Sequence, residues 1–510
     1  AASKVTMARW PKMPSALMRQ SAAFFAAAAL SAAMVAPAAA ADGGAMVGIS
    51  DPVATGSTPG LLEAFAPRWR ASGVDLASVT ADWREIAPEK DAKAPPAGFD
   101  GGDPSSPLYN WTNLDRVIAV LGANQLEPLL TITGPGPLWA SSDPERGSAR
   151  YRPDATLFAA FARAVALRYG PRVGRYIVWY EPNDAANLRP QWYCTKGECS
   201  PRSPQIYRAI FNSAASAIRA ADQGSEVLAG GLAARGRSAP EDSDDPLTPI
   251  EWLRAFGCVD SDGAADRNSP TCTEFDPAAV DGLAYHPDQR AAAPSQHLRN
   301  TSEAGINDTP RLTRVLDQMQ LSGGIVNAAQ ASTPIDLYFT EWGYQTNPPD
   351  VFSGVSLKNQ NKWLQEGAKI VYGQPRVKLL GQYLWRDQPV RDAGQGVDAY
   401  SGGQGGLYGF DGIAKPAATS FPNPFWAISL VGRRAASLWG QVRPGGAHTV
   451  TIERRLGRNR YRRVASVQTD GQGYFRSRSP LSTTAKFRYR WAPSAGAKWR
   501  YSNSISLRPR

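Results

Sequence analysis

The feature of this chain that most constrains its fold is an eightfold alternation of short apolar segments with longer helical patterns. The alternation runs from about residue 45 to residue 430 of the 510 residues. The short segments are apolar on both faces, which is typical of parallel strands covered by helices. They read AMVGIS, VDLASVTADW, QLEPLLTITG, GRYIVWYEP, SEVLAGGLA, VDGLAYHP, PIDLYFTEWG and VKLLGQYLW.

Each apolar segment is followed by a helical pattern. The predicted helices are Gly60–Ser72, Trp111–Gly122, Asp154–Tyr169, Pro204–Ala221, Pro249–Phe256, Thr309–Leu321, Leu357–Val371 and Pro416–Val431. Eight such units predict an α/β fold, a (β/α)8 TIM barrel with enlarged loops over residues 41–435. The main alternative is a doubly wound sheet, which usually carries a glycine-rich phosphate loop after its first strand. The chain reads DPVATGSTPG after Ser50, which is not such a loop.

The first 40 residues have the pattern of a secretory signal peptide. Basic residues up to Arg19 precede the apolar run from Ala22 to Val35, and the small residues PAAAAD follow. A transmembrane anchor is the alternative, but the run is shorter than the roughly 20 residues that a span needs. We therefore predict cleavage near Ala40 or Ala41, no membrane span after cleavage and a secreted protein.

Four cysteines lie in two short polar segments. Short loops bring their ends together at least entropic cost, which favours the pairs Cys194–Cys199 and Cys258–Cys272. Four free thiols are the alternative, and an oxidising compartment disfavours them. We interpret both bonds as loop staples without a catalytic role.

The pattern changes in the last 70 residues. Residues 441–510 contain short alternating segments and a turn at Thr469–Gly473, which predict a small C-terminal antiparallel β-sandwich. In the segment KFRYRW, Phe487, Tyr489 and Trp491 are expected on the buried face, with Arg488 and Arg490 on the other.

Charge is divided between the two parts of the chain. Residues 441–510 contain 16 basic and 2 acidic residues, whereas residues 41–440 contain 36 basic and 43 acidic residues. The basic segment indicates an anionic partner, such as an acidic polymer or a cell surface. A merely solubilising surface is the alternative. Nucleic acid is disfavoured because no recognition motif accompanies the charge.

Polar residues follow several of the predicted strands, where the active sites of such barrels form. Strand four ends in Trp179-Tyr180-Glu181-Pro182-Asn183, and strand seven ends in Thr340-Glu341-Trp342-Gly343. Strand six ends in Tyr285-His286-Pro287. Two carboxylates are therefore expected at the rim, and hydrolysis of a glycosidic bond needs two carboxylates that face one bond.

These motifs resemble the strand-four and strand-seven signatures of the clan A glycoside hydrolases. Further matches are Asp82-Trp83, TGPGPLWA at Thr133–Ala140, YHP at Tyr285–Pro287, and LW at Leu384-Trp385. The layout over most of residues 46–430 is similar to family 39 or to the cellulase-like family 5.

The resemblance implies a retaining hydrolase that acts by double displacement, and with the predicted signal peptide we expect a secreted enzyme that cleaves an oligo- or polysaccharide. Glu181 matches the acid/base and Glu341 the nucleophile, while Trp385 matches a sugar platform. Tyr285 or His286 is expected near the nucleophile. Substrate contacts are also expected from three further aromatic side chains, those of Tyr180, Trp139 and Trp83.

The chain departs from the clan pattern at two places. Tyr180 stands where the clan usually has Asn, and VTADW replaces a segment that often carries Arg. Two other functions therefore remain open: a non-catalytic carbohydrate-binding barrel, and a wall-associated structural protein.

Several other site types are disfavoured by the sequence. The only histidines are His286, His297 and His448, far apart in the chain, and no CxxC pair occurs, so we predict no metal and no cofactor. The absence of a Gly-x-Ser-x-Gly motif disfavours a serine hydrolase.

Overall fold

The computed structural model describes residues 44–391, 396–400, 402–458 and 460–510, and omits the side chain of Val397. The predicted signal peptide, residues 1–40, lies outside the described residues. In the part of the chain that is described, no helix is long and apolar enough to cross a membrane.

Eight parallel strands form a closed barrel, as the alternation predicts. The strands are β1 (Met46–Ser50), β2 (Leu76–Asp82), β3 (Glu127–Thr133), β4 (Arg175–Val178), β5 (Glu226–Ala233), β6 (Gly282–His286), β7 (Leu337–Trp342) and β8 (Val377–Tyr383). They pair in chain order, and β8 closes the barrel on β1 with Met46 opposite Leu379 and Ser50 opposite Tyr383. All the carboxyl ends of these strands therefore meet at one rim.

Helices follow the strands and cover the outside of the barrel. They are α1 (Leu61–Ala71), α2 (Thr112–Ala123), α3 (Ala155–Tyr169), α4 (Ser203–Ala221), α5 (Pro249–Gly257), α6 (Thr309–Leu321), α7 (Leu357–Tyr372) and α8 (Pro416–Ser420). Local sequence determines where some of these helices begin. The Asp154 carboxylate accepts from the backbone N–H groups of Thr156 and Leu157 at the start of α3, and Ser356 caps α7 through Asn359.

The lower part of the barrel is filled by apolar side chains. One buried residue from each of seven strands contributes to this layer: Leu76, Leu129, Ile177, Leu228, Ala284, Tyr338 and Leu379. These side chains lie toward the amino ends of the strands and close the barrel from below. Any ligand site in the bore must therefore open at the carboxyl rim.

The predicted last helix is wrong beyond its first turns. We expected a helix over Pro416–Val431, but α8 ends at Ser420 and a strand occupies Phe425–Leu430. Pro422 and Pro424 stand between them, and proline interrupts helical hydrogen bonding. The apolar segment after them pairs with a strand of the C-terminal region instead.

The C-terminal region consists of antiparallel strands, in agreement with the predicted sandwich. They are β9 (Phe425–Leu430), β10 (Ala435–Gln441), β11 (Thr449–Gly457), β12 (Arg460–Gln468), β13 (Tyr474–Pro480), β14 (Ala485–Trp491), β15 (Arg500–Tyr501) and β16 (Ile505–Leu507). One sheet has the order β9-β10-β13; the other has the order β12-β11-β14-β15, with β16 also on β14. Because β9 and β10 belong to the first sheet, this β region begins at Phe425, before the expected boundary at 435–441.

The alternation in β14 is as predicted. Phe487, Tyr489 and Trp491 are fully buried in the core between the sheets. Arg488 and Arg490 lie on the opposite face but are not free charges. Both guanidinium groups pair with the buried carboxylate of Glu453, at 2.8 and 3.0 Å.

The β region packs closely on the barrel. The Tyr474 ring lies 4.8 Å from that of Tyr372 in α7, and its hydroxyl donates to the Ala45 carbonyl at 3.1 Å. The Trp491 indole N–H donates to Asn423 at 2.7 Å. The two Tyr474 contacts connect the β region to α7 and to the residue that precedes β1, and the Trp491 contact joins it to the segment between α8 and β9.

Both predicted disulfides are present. Cys194 and Cys199 close a hairpin of two short strands, Trp192–Thr195 and Glu198–Pro201, and Cys258 bonds to Cys272 across the loop after α5. Each bond closes a short surface segment, as the spacing indicates.

Candidate active site

The two carboxylates predicted from the strand ends meet at the rim of the barrel. Glu341 is the last residue but one of β7, and Glu181 follows β4 by three residues. Trp179 and Glu181 have left-handed backbone conformations, with φ of 71° and 40°. The Glu181 N–H donates to the carbonyl of Gly231 at the end of β5, at 3.0 Å. This local turn, unusual for residues other than glycine, directs Glu181 toward the bore.

His286, the last residue of β6, lies between the two carboxylates. Its Nδ1 is 2.9 Å from Oε1 of Glu181 and 4.0 Å from Oε2 of Glu341. The side chains of the two glutamates are 22% and 18% exposed. One imidazole nitrogen therefore faces both acids, and both remain accessible from the rim.

Two hydroxyl groups hold Glu341. Ser50, at the end of β1, donates to Oε1 at 2.9 Å, and Tyr180 donates to Oε2 at 3.2 Å. Each carboxylate oxygen thus accepts one bond from a neutral group. These bonds fix the orientation of Glu341 without neutralising its charge.

Burial and charge shift the protonation of this cluster. Burial raises the pKa of Glu181; the hydrogen bond and charge of His286 oppose this effect, and the charge of Glu341 adds to it. Burial lowers the pKa of His286, but Glu341 and Glu181 outweigh it, so that pKa is raised overall. The pKa of Tyr180 is raised well above its usual value by burial and by the two carboxylates, which keeps its proton available as a donor.

The carboxylates stand between two connected cavities. The inner pocket, of about 250 Å³, lies inside the barrel. Hydroxyl-bearing side chains are frequent in its lining, and its residues include Ser50, Ser78, Thr80, Asp82, Thr131, Thr133, Thr340 and Tyr383. The outer cleft, of about 630 Å³, lies above the loops after β4 to β8. Glu341, His286, Tyr180 and Tyr383 line both cavities, whereas Glu181 lines only the outer cleft.

The predicted tryptophan contacts are not at these cavities. Trp83 is buried in the core, where its ring stacks 5.7 Å from that of Phe161. Trp139 packs on Trp83 at 6.1 Å and donates its indole N–H to the Pro88 carbonyl. Both are core residues, so the prediction that they contact the substrate is wrong. Gly136 permits this packing, since a Cβ there would lie 2.4 Å from the Trp83 ring.

Trp385 also has no free face for a sugar. Its ring is 2% exposed and packs 5.0 Å from Tyr408, with the Arg68 guanidinium 5.6 Å away. The chain turns at Leu384, which has φ of 67°, and the Trp385 N–H donates to Asp51. This turn carries the ring away from the bore, so the prediction that Trp385 forms a sugar platform is wrong.

The predicted residues of strand six divide between site and core. His286 reaches the carboxylates, but Tyr285 is fully buried and its hydroxyl donates to the Ala304 carbonyl at 2.7 Å. Successive strand residues point to opposite faces, so only one of the two can face the bore. Tyr285 lines neither cavity.

Several residues that line the inner pocket were not identified from the sequence. Ser50, Asp82 and Tyr383 each end a barrel strand, which was the available signal. Asp82 also caps the turn that follows, and burial is the main cause that raises its pKa. Among the described residues, no three His, Cys, Asp or Glu side chains are grouped as in a metal site.

Solved structures with a similar fold are known. A glucosidase from Croceicoccus marinus is 12% identical with a TM-score of 0.45, and the alignment covers 86% of this chain and 93% of that one. A family 1 β-glucosidase from Thermotoga maritima is 16% identical with a TM-score of 0.44, over 74% and 96%. Xylanase B from Clostridium stercorarium F9 is 15% identical with a TM-score of 0.38, over 73% and 95%.

No family profile and no curated protein matches the sequence. The three structures are those of two glucosidases and a xylanase.

Proposed function

We propose that this protein is a retaining glycoside hydrolase, with Glu341 as nucleophile and Glu181 as acid/base. One observation carries the proposal: two accessible carboxylates from different strands converge on one imidazole nitrogen, at 2.9 and 4.0 Å, where a hydroxyl-lined pocket opens into a wide cleft. Two carboxyl groups that flank one bond are what glycoside hydrolysis requires.

Glu341 is suited to attack an anomeric carbon. Its two hydrogen bonds, from Ser50 and Tyr180, orient the carboxylate. Among the described residues no cationic group bonds to Glu341 directly, and the His286 imidazole is 4.0 Å away. The carboxylate therefore keeps the negative charge that makes it nucleophilic. Attack forms a covalent glycosyl–enzyme ester at one Glu341 oxygen and breaks the bond to the leaving oxygen.

Glu181 is suited to deliver and then remove a proton. Burial and the charge of Glu341 raise its pKa, which favours the protonated form that can donate to the leaving oxygen. When Glu341 becomes an ester its charge disappears, and the pKa of Glu181 falls. Glu181 can then accept a proton from the water that releases the sugar.

The two cavities give the substrate a direction. Glu341 borders the inner pocket, whereas Glu181 faces only the outer cleft. The sugar that becomes bound to the enzyme therefore belongs in the inner pocket, among hydroxyl groups that can hydrogen-bond its own. The leaving group belongs in the outer cleft, beside the acid that protonates it.

The proposed setting of this activity is outside the cell. The two disulfides in short polar loops support export, because such bonds persist in oxidising compartments. A contact of the basic C-terminal region with an anionic polymer belongs to the same proposal. Arg488 and Arg490 are engaged with Glu453, so such a contact would fall to exposed arginines of the β11–β12 hairpin, such as Arg462 and Arg463.

Mechanism-based labelling tests the proposal. A panel of aryl glycosides first identifies a hydrolysed sugar, and the matching 2-fluoro glycoside is then used as inactivator. The expected result is loss of activity with one sugar attached to the peptide that contains Glu341. The Glu145→Gln variant, altered at an exposed acid paired with Lys93, serves as control and should be labelled in the same way. No turnover of any glycoside, or labelling elsewhere, would contradict the proposal.

A further inference from the structure

Another cavity, separate from the inner pocket and the outer cleft, lies on the rim of the barrel, outside the proposed catalytic site. It has a volume of about 370 Å³, within the range of small-molecule sites. Its walls come from the loop after β3, with Tyr151 and Arg152, and from the loop after β4, with Tyr193 and Arg202. The part of the chain that the structure describes contributes no acidic residue to this lining.

The two arginines of this cavity lack counter-charges. Within the described ranges, neither guanidinium has an ion pair, although the surrounding barrel has more acidic than basic residues. Arg202 donates to the neutral amide of Gln205, and Arg152 has no side-chain partner there. The two charges also affect each other, since burial and the charge of Arg152 lower the pKa of Arg202. An anion between them would relieve this repulsion.

Both disulfides hold the walls of the same cavity. Cys194–Cys199 closes the hairpin that carries Tyr193 and Ser200, and Cys258–Cys272 fixes the loop that carries Thr271. The Thr271 hydroxyl then donates to the Pro201 carbonyl at 2.9 Å, which links the two stapled segments. A cavity with fixed walls loses little freedom when a ligand binds.

The opposite wall is fixed to the loop that follows β4. The Arg152 N–H donates to the Arg189 carbonyl at 2.9 Å, next to Pro190 in the cavity lining. Asn187 of the same loop lines the inner pocket, and Asp184 lines the outer cleft. The cavity therefore belongs to the loop that also borders the proposed catalytic site.

We infer that this cavity binds an acidic sugar residue of a polysaccharide, a hexuronate whose carboxylate lies between Arg152 and Arg202. Guanidinium groups bind carboxylates through paired, charge-assisted hydrogen bonds. The Tyr193 ring, 58% exposed, offers an apolar face on which a pyranose ring can pack, whereas the Arg146 guanidinium already covers one face of the Tyr151 ring at 4.1 Å. The ligand is thus a carboxylated sugar rather than a neutral one, which names the substrate class of the proposed hydrolase. Only the extension from this ligand to the substrate class of the hydrolase rests on the proposed function.

Calorimetric titration of the full-length Glu341→Gln variant tests the inference without turnover. The probes are a hexuronate trisaccharide and its carboxyl-reduced, neutral counterpart. We expect the acidic probe to bind and the neutral one to bind at least about tenfold more weakly. Adding Arg152→Ala or Arg202→Ala should weaken binding of the acidic probe by a similar factor, whereas Arg152→Lys should weaken it less.

The control removes one positive charge at a distant exposed site. Arg433→Ala, in the turn between β9 and β10, should leave binding of the acidic probe unchanged. Equal binding of both probes, equal losses in Arg433→Ala and Arg152→Ala, or the same affinity for inorganic sulfate as for the acidic sugar would overturn the inference. If the acidic probe does not bind but the parent protein hydrolyses aryl glycosides, the proposed function stands and this binding site is rejected. If the acidic probe binds but no glycoside is hydrolysed, the binding site stands and the proposed function is rejected.

Discussion

Acidic side chains are held in opposite ways at the rim of the barrel and in the C-terminal β region. In the barrel, Glu341 is bound by two neutral hydroxyl groups and shares His286 with Glu181. In the β region, Glu453 is held by two guanidinium groups, from Arg488 and Arg490. One arrangement leaves a charge available, and the other neutralises it.

The aromatic rings around the Glu453 cluster complete the contrast. The Arg488 guanidinium lies 3.6 Å from the Tyr461 ring centre and 4.4 Å from that of Tyr501, and Arg490 stacks on Trp499. Each of these two cations therefore contacts at least one aromatic ring in addition to the Glu453 carboxylate. The difference teaches that the positive charge of residues 441–510 is partly structural, whereas the carboxylates of Glu181 and Glu341 remain partly exposed at the rim of the barrel.

The largest expected effect comes from removing the charge of Glu341. Glu341→Gln keeps the shape of the side chain but cannot form the glycosyl ester, so kcat/KM should fall by at least about a thousandfold. Kinetics with an activated aryl glycoside measure the loss, and circular dichroism should show an intact fold. Activity within tenfold of the parent would remove Glu341 from the role of nucleophile.

Glu181→Ala should affect substrates according to their leaving group. Substrates with poor leaving groups need the proton and should lose roughly 10²–10⁴-fold, whereas activated aryl substrates should lose less in the first step. Azide is an anionic nucleophile that can attack the glycosyl–enzyme ester without a general base and release the Glu341 carboxylate, so it should restore turnover in the second step and give a glycosyl azide. Equal losses for both substrate types without an azide effect would contradict the assignment.

The same kind of change in the β region should affect stability instead of catalysis. Glu453→Gln leaves Arg488 and Arg490 without a counter-charge, and the free energy of unfolding should fall by about 2 kcal/mol. Urea unfolding measures the change, and turnover per folded molecule should stay at the parent value. The control is Glu85→Gln, at an exposed pair with Lys90, which should change stability little. A catalytic defect in Glu453→Gln would break the comparison.

The smallest expected effect is a shift in pH dependence. Glu181 must be protonated to act as acid, so activity should decline at high pH as it loses its proton. His286 lowers the pKa of Glu181 through its hydrogen bond and charge. His286→Ala should therefore raise that pKa and move the alkaline limb of kcat/KM to higher pH. A limb that stays in place or moves to lower pH would show that another group titrates there.

Much of the fold could be predicted because its signals are local and repeated. All eight barrel strands lie within the predicted apolar segments, and seven of the eight helices match within a few residues, as α3 and α6 illustrate. The helix expected over Pro416–Val431 fails where long-range pairing decides, since Phe425–Leu430 pairs with β10. A short apolar segment does not reveal whether it will find a strand partner.

The residues of the site also divide into those that local sequence could locate and those that depend on long-range packing. Glu181, Glu341 and His286 could be located because each follows an apolar segment, and such positions meet at the rim of a barrel. The tryptophans failed because an aromatic residue beside a catalytic motif can face either the bore or the helices. Leu384 and Asp51 send Trp385 away from the bore, and nothing in the adjacent residues predicts that turn.

The sequence by itself determined the strand and helix order, the spacing of the two disulfides and the rim position of the two glutamates. These depend on periodicity, short loops and the polarity of a parallel barrel, which are local properties of the chain. Only the tertiary structure decided that Ser50 and Tyr180 hold Glu341, that Glu453 takes up Arg488 and Arg490, and that Arg152 faces the same cavity as Arg202. Such contacts join residues far apart in sequence, and their geometry depends on how the whole barrel packs.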